Sequence, residues 1–392
     1  MTGTSESMLI KEKKRNYELI HLILVFFSMC MIVFATLVSY GSYGLDFYIK
    51  NEFSITLVII LLCAFHDRVQ FQKIDSRKIW VILLLFAAIS DLMNGRNRIL
   101  NLLSMFLFFH ITYGLTEKTI KSMLFSIILA EIVFTVQYRI TSFFNSYALA
   151  TAIMGLVIML LIYIHNTDLL WRNIVVFGLV FILLFVMASR TSLIAFAVGG
   201  MIILISSIKG KQTNKEISIA FSILILVTLV LLFSDKIHGL LFDKWGNLGY
   251  QSNDFSAGRL RMWQSIITKD ITFFGHGIDF VMKTYNHEDA HNVFIQVICK
   301  YGILTFIVFV LWFIDIIRRI MKVSYKYRIV FSSIFSFYFI AGITENVLFL
   351  DCKSYIITYC FCVSLAWLYK ISDMEDPSYN AISMCMQSRY IK

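Results

Sequence analysis

Charged residues and prolines are scarce in this sequence. Of its 392 residues, 15% are charged and 58% are apolar, and Pro377 is the only proline. Soluble domains carry roughly 25% charged and 45–50% apolar residues, so no water-soluble fold could bury this much apolar surface. The composition excludes a soluble enzyme, a nucleic-acid-binding domain and a secreted disulfide scaffold. It predicts a membrane protein, even though the formal net charge is +10.

The few prolines and cysteines also narrow the class of membrane protein. Many transporters interrupt their helices with Pro or Gly near the substrate site. Here Gly199-Gly200 is the only paired break within an apolar run and no second half mirrors it, so a secondary transporter is less favoured. Six of the seven cysteines lie in or beside apolar runs or in the tail, without metal-ligand spacing or a disulfide framework. Cys360 and Cys362 are predicted to be buried as small hydrophobic residues.

Twelve apolar runs predict an all-α polytopic membrane protein with about 12 transmembrane helices. Backbone groups in lipid must be satisfied internally, so each run is predicted to be a helix. A crossing takes about 20 residues; the runs 53–65 and 79–90 are shorter, and they either tilt, borrow flanking residues or form one re-entrant pair. The runs cover residues 21–40, 53–65, 79–90, 99–115, 122–138, 147–164, 173–188, 191–208, 217–233, 292–314, 329–344 and 354–369.

Lysine and arginine predict that both ends of the chain lie on the cytoplasmic side. In that orientation the cytoplasmic segments carry 22 of these residues and the outer segments carry 12, six of them in the long loop 234–290. Long loops count little in the positive-inside rule, so this orientation is the better one. Lys11, Lys13, Lys14 and Arg15 precede the first run and no cleavage site follows it, which predicts an anchor rather than a signal peptide.

The loop 234–290 is the only long connection in what is predicted to be one integral membrane domain over residues 1–392. Loops of this length are usually either functional or disordered. Aromatic residues throughout the loop, Trp245 and Trp263 among them, disfavour disorder. We therefore expect the loop to fold as a cap over the outer face of the helical bundle.

Arginines on the outer side are candidate anion ligands. Arg190 lies in a minimal gap between two apolar runs, where its charge is costly unless it meets an anion or water; a snorkelling interfacial arginine is the alternative. In the long loop, Ser256 fits a helix N-cap ahead of Arg259 and Arg261, and a helix start with arginine suits an anion. Two residues apart on a helix, these arginines face nearly opposite ways, so only one is expected to reach a shared ligand.

Histidines near the same loop are candidates for acid–base chemistry. His291 and Asn292 stand at the start of the run 292–314, and a histidine near arginines at the mouth of a bundle can act as a base or a hydrogen-bond donor. The alternative is that Asn292 caps the helix and His291 only lies at the interface. His276, in a Gly-His-Gly turn, is weaker evidence for a site.

Residues 287–291 also match the zinc pattern H-E-x-x-H, whose histidines bind metal from one helical face. Asp289 puts a charge at a position that is usually uncharged, and the motif lies in a polar loop, so no metal site is predicted. Glu131 and Lys300 lie within apolar runs and are candidates for either a functional role or a structural interhelical pair. Glu345, at the outer end of a later run, is placed to line the same vestibule.

Taken in order, four short motifs resemble the O-antigen ligase and Wzy-type polymerase superfamily of bacterial surface-polysaccharide assembly. They are Ser-Arg-Thr at 189–191, Gly-Arg-x-x-x-Trp at 258–263, Gly-x-Gly at 275–277 and His-Asn-x-x-x-Gln…Tyr-Gly at 291–302. The resemblance is strongest over residues 185–305. It implies a GT-C-like glycosyltransferase of twelve helices in the bacterial cytoplasmic (inner) membrane, with its active site facing the periplasm or exterior.

The resemblance also implies roles for individual residues. Arg190 and Arg259 match the arginines expected to hold the pyrophosphate of an undecaprenyl-pyrophosphate-linked oligosaccharide, and His291 matches the histidine expected near the reacting sugar. Because such a donor carries its own leaving group, neither a metal nor another cofactor is expected. Arg96, Arg98 and Arg139 lie on the expected side of the membrane but match none of these motifs. The weaker candidates are Arg261, Arg96, Arg98, Arg139, His276, Asn292 and Glu345.

The implied activity is the polymerisation of lipid-linked repeat units into O-antigen or capsular polysaccharide. Two alternatives stay open: an O-antigen ligase that transfers the polymer to lipid A-core, and a flippase for the lipid-linked oligosaccharide. We favour the polymerase because every unusual residue fits two pyrophosphate-bearing substrates. The expected partners are the bilayer, the lipid-linked oligosaccharides and a chain-length regulator, and no nucleic acid.

Overall fold

Every regular element in the described part of the chain is a helix. The computed structural model describes residues 78–95, 99–125, 128, 145–165, 170–187, 189–209, 259–277, 279–287, 289–347 and 355–375. The helices are α1 Lys78–Met93, α2 Ile99–Gly114, α3 Asn145–His165, α4 Leu170–Val186, α5 Arg190–Lys209, α6 Arg259–Lys269, α7 Phe280–Tyr285, α8 Val293–Lys322, α9 Tyr325–Thr344 and α10 Tyr355–Met374. Residues 117–125 are helical as well.

Eight of the twelve apolar runs coincide with α1 to α5 and α8 to α10. The runs 21–40, 53–65 and 217–233 lie outside the described residues, as does most of the run 122–138, so the total of about twelve stays a prediction. The predicted run 292–314 is shorter than the helix it marks, because α8 continues to Lys322.

Three of the helices are long and apolar enough to cross a membrane, and four shorter apolar helices accompany them. The three spans are Ala148–His165, Val293–Lys322 and Tyr325–Thr344. Helices satisfy their own backbone hydrogen bonds, and their apolar side chains suit a lipid environment. The described residues therefore fit a helical membrane protein.

Close helix packing explains the paired glycines that sequence analysis singled out. A Cβ on Gly199 would lie 3.0 Å from the Ser333 carbonyl oxygen of α9, and the Ser333 hydroxyl donates to the Gly199 carbonyl at 2.7 Å. A Cβ on Gly200 would lie 2.6 Å from the Phe177 ring of α4. The pair does not break α5; it allows α5 to pack closely against both neighbours, a common use of small residues in membrane helices.

The long helix α8 is interrupted at Gly302, whose φ is +88° and ψ 172°. In a continuous helix the Ile303 N–H would bond to the Cys299 carbonyl. Here it donates to the Thr272 carbonyl at 2.9 Å, while the Cys299 carbonyl accepts from the His276 N–H at 2.9 Å. The loop before α7 therefore lies along the break and satisfies the backbone groups that the break exposes.

The helix α6 and the residues that follow it form a small second core with the first turns of α8. Its buried members are Met262, Ile266, Val281, Ala290 and Cys299. Cys360 and Cys362 are likewise buried free thiols in α10, as the sequence predicted. The main core is rich in aromatic rings, for example the Trp80 and Trp312 rings, whose centroids lie 5.2 Å apart between α1 and α8.

Candidate active site at the end of α9

The last residues of α9 bring together the starts of three other helices. The Thr191 hydroxyl, in the first turn of α5, lies 2.8 Å from the Thr344 hydroxyl. Arg259, which begins α6, donates from Nη1 to the Thr344 carbonyl at 3.1 Å. Asn292, the N-cap of α8, donates from Nδ2 to the Ile343 carbonyl at 2.9 Å. Segments that are 68 and 33 residues apart in the chain (191 to 259, and 259 to 292) thus meet at one place.

His291 lies at this place with carboxylates on one side of its ring. Its Nδ1 is 3.2 Å from Glu345 Oε2 and 3.4 Å from Asp289 Oδ1. A carboxylate can only accept a hydrogen bond, so Nδ1 carries the proton in the neutral imidazole and Nε2 is the basic nitrogen. This arrangement leaves Nε2 able to accept a proton from a substrate hydroxyl, which is the role predicted for His291.

Arg259 is held by Glu345 from the opposite carboxylate oxygen. Its Nη1 is 3.8 Å from Glu345 Oε1, and its side chain is 26% exposed. Glu345 therefore links Arg259 and His291 through its two oxygens. Arg261 lies two residues further along α6 and is exposed, as expected for positions on nearly opposite helix faces.

Asn292 has the capping role that sequence analysis gave as one alternative. Its Oδ1 accepts from the Phe294 and Ile295 N–H groups at 2.9 and 3.1 Å. Asn292 also donates to the Ile343 carbonyl and so connects the start of α8 to the end of α9, beside Glu345. Its capping role therefore does not argue against a functional role for His291. The capping and functional interpretations are compatible.

Several predicted residues fall outside the described part of the chain. The helix α5 begins at Arg190, and next to it the buried Ser189 and Ser192 hydroxyls are 2.8 Å apart. The Arg190 side chain itself is not described. The same holds for Arg96, Arg98, Arg139, Glu131, Ser256 and Glu288, so their roles stay predictions.

His276 contacts a different set of residues from His291. Its Nε2 is 2.9 Å from the Asp270 carbonyl oxygen, and its ring stacks on Phe280 with a centroid distance of 4.2 Å. A Cβ on the neighbouring Gly275, with φ at +71°, would lie 2.3 Å from the Lys300 carbonyl oxygen. The Gly-x-Gly motif at 275–277 thus packs directly on the Tyr-Gly break of α8, and both motifs serve the same contact.

The zinc pattern at 287–291 does not form the helical face that such a motif requires. The described residues 286, 287 and 289–292 are not helical, and His291 has a φ of +49°. The two histidines therefore do not project from successive turns of one helix.

Sequence analysis gave too little weight to two carboxylates. Asp289 appeared only as an objection to the zinc pattern, yet its Oδ1 accepts the His291 N–H at 2.8 Å. A local signal was available, since Asp commonly bonds the backbone two residues on. The link from Glu345 to His291 spans 54 residues and has no such local signal.

A comparison with known protein families overlaps part of this site. A family model described as O-Antigen ligase matches residues 174–310, which run from α4 into α8 and include Arg190, Arg259 and His291. No curated protein matches the chain. The similarity supports the O-antigen ligase and polymerase superfamily, and with it a membrane enzyme of polysaccharide assembly. The match ends before α9, so the assignment of Glu345 to the site rests on its contacts.

Proposed function

We propose that this protein is a membrane glycosyltransferase that polymerises undecaprenyl-pyrophosphate-linked oligosaccharide repeat units into O-antigen or capsular polysaccharide. The observation that carries the proposal is the contact of Glu345 with both Arg259 and His291. It joins an anion-binding side chain to a candidate base. The reaction takes place on the outer face of the inner membrane, with both termini of the chain in the cytoplasm.

The proposed chemistry needs two different groups side by side. The bond between the anomeric carbon of the donor sugar and the pyrophosphate oxygen breaks, and a new bond forms from that carbon to a hydroxyl oxygen of the acceptor. Arg259 and Arg190 offset the charge that the leaving undecaprenyl pyrophosphate gains. His291 takes the proton of the acceptor hydroxyl on Nε2.

Positioning supplies much of the remaining rate enhancement. Donor and acceptor are both lipid-linked, so a site that holds both ends replaces an encounter between two substrates by a step within one complex. The starts of α5, α6 and α8 lie around the end of α9 in this arrangement. We assign the pyrophosphate to the α5 and α6 side and the acceptor hydroxyl to His291.

A ligase is the second candidate, favoured by the description of the matching family as O-Antigen ligase. Gene deletion separates the candidates through a gel of extracted surface polysaccharide. Loss of a polymerase leaves surface lipid that carries a single repeat unit. Loss of a ligase leaves no polysaccharide transferred to lipid A-core, and lipid-linked polymer accumulates. Loss of a flippase leaves single lipid-linked repeat units inside the cell.

A purified assay gives the complementary test. Full-length protein with lipid-linked single repeats as its sole substrate should form a ladder of longer chains in the presence of EDTA. A protein that forms no ladder but transfers the single repeat unit to added lipid A-core is a ligase, and that result would overturn the polymerase proposal.

A further inference from the structure

Ala290, the residue before His291, is held through its backbone by two side chains. Its carbonyl accepts from Trp263 Nε1 at 2.6 Å, and its N–H donates to Gln296 Oε1 at 2.7 Å. Ala290 is 0% exposed and Gln296 is 1% exposed. The backbone here is not helical, so these side chains supply the partners that buried peptide groups require.

His291 needs such support because its backbone lies in the left-handed region, with φ at +49°. Residues other than glycine adopt this conformation at a cost, and they keep it where the surroundings determine it. The His291 N–H is bonded to Asp289, and the peptide groups of Ala290 are bonded as described above. Side chains thus bond three backbone groups of the turn, namely the N–H and carbonyl of Ala290 and the N–H of His291.

The two side chains that hold Ala290 come from different helices. Trp263 lies on α6, one turn after Arg259, and Gln296 lies on the first turn of α8. Ala290 is the group that both side chains bond. An effect that is common to substitutions at both positions therefore points to the 290–291 turn and not to either helix.

We infer that Trp263 and Gln296 are positioning residues that set the place of the His291 imidazole for catalysis. The inference rests on the proposed function, in which His291 Nε2 accepts the proton of the acceptor hydroxyl. Displacing a reacting group by about 1 Å can lower a rate on the order of 100-fold. Loss of either hydrogen bond should therefore lower turnover more than it lowers substrate binding.

The test uses full-length protein in detergent with lipid-linked repeat units. Trp263→Phe keeps an aromatic ring and removes the N–H donor, and Gln296→Met keeps the length of the side chain and removes the acceptor. Trp367→Phe is the matched control, because its buried indole N–H has no hydrogen-bond partner among the described residues. Steady-state kinetics and amide hydrogen exchange over residues 287–295 are measured for all three variants.

Trp263→Phe and Gln296→Met should each lower kcat about tenfold, with KM within about twofold of wild type. Amide exchange over residues 287–295 should accelerate in both, while Trp367→Phe matches wild type in kinetics and exchange. Wild-type exchange in Trp263→Phe and Gln296→Met, or a loss of activity through KM alone, overturns the inference. If exchange accelerates but His291→Ala turns over like wild type, the turn is held as inferred and catalysis by His291 is what fails.

Discussion

The two ends of α8 use arginine and carboxylates in opposite ways. At the C-terminal end, Arg319 donates from Nε to Asp315 at 3.0 Å and from Nη1 to both Asp373 and Ser372 at 2.8 Å. Its guanidinium carbon lies 3.9 Å from the centroid of the Tyr369 ring, and its side chain is 13% exposed. This arginine is surrounded by groups from α8 and α10.

At the N-terminal end the corresponding contacts are longer and more open. Arg259 reaches Glu345 at 3.8 Å with a side chain 26% exposed, and the His291 side chain is 28% exposed. The backbone beside it is strained at His291 and broken at Gly302. At the closed end, removing one partner leaves a charge unpaired inside the protein, whereas the open end keeps charge and hydrogen-bonding groups in reach of the surroundings, as the proposed site requires.

Among these substitutions, Arg319→Ala should cause the largest loss of stability. Removing it leaves Asp315 and Asp373 without their cation in a partly buried place, where the cost approaches the value of about 3 kcal/mol for breaking a buried pair. Arg259→Ala should cost less than about 1 kcal/mol, as a partly exposed pair does. Thermal unfolding of detergent-solubilised protein measures both, and equal losses of stability for the two variants would contradict the distinction between the ends.

His291→Ala should be the largest effect on activity, with little effect on stability. Removing a general base lowers the rate by about 10²- to 10⁴-fold. His287→Ala and Glu288→Ala should be mild, whereas a zinc site of the H-E-x-x-H kind requires all three residues. Polymer formation by purified protein, with and without chelator, is the measurement. Loss of activity in His287→Ala and Glu288→Ala, together with its recovery on adding zinc to chelator-treated wild type, would replace the transferase assignment.

Substitutions of the candidate pyrophosphate-binding arginines should have the next largest effects on activity, after His291→Ala. Arg259→Ala should lower kcat/KM about 100-fold, as loss of a donor to developing charge does, and Arg261→Ala should stay close to wild type. Arg190→Lys should also be defective, because a lysine cannot make the bidentate phosphate contact of a planar guanidinium. Rates with lipid-linked repeats decide this at matched expression. Wild-type rates for Arg190→Lys and Arg259→Ala would refute the pyrophosphate assignment.

Local sequence patterns predicted helices well where a segment is apolar throughout. The run 147–164 became α3 with an offset of two residues at its start and one at its end. The same reasoning ended the last part of α8 too early, because Asp315 and Arg319 look like the end of an apolar helix. Their charges are neutralised by each other and by α10, and no local pattern indicates that.

The structure brings together two residues that the sequence motifs singled out, Arg259 and His291, through a contact that the sequence did not indicate. Ordered motifs pointed to Arg259 and His291, because each stands at a helix start with a characteristic neighbour. Glu345 carried no comparable signal, since its importance comes from touching both of them across the fold. The break at Gly302 was also missed, because an apolar run has the same appearance whether its helix is straight or broken.

Glu345→Gln should give the smallest of these effects and the sharpest comparison with the other end of α8. The amide oxygen can still accept from His291 Nδ1, so the hydrogen bond is kept while its charge and the contact of the second oxygen with Arg259 are lost. A hydrogen bond to a charged group exceeds a neutral one by about 1–1.5 kcal/mol, which corresponds to roughly a tenfold lower kcat. Asp373→Asn is the matched change at the closed end, where the carboxylate bonds Arg319 and accepts from the Tyr113 hydroxyl at 2.9 Å. Asp373→Asn should lower the unfolding temperature and leave kcat near wild type. Glu345→Gln should lower kcat and leave the unfolding temperature near wild type. If Glu345→Gln instead lowers the unfolding temperature and leaves kcat unchanged, Glu345 is a structural partner like Asp373 and the proposed role of the α9 end in catalysis fails.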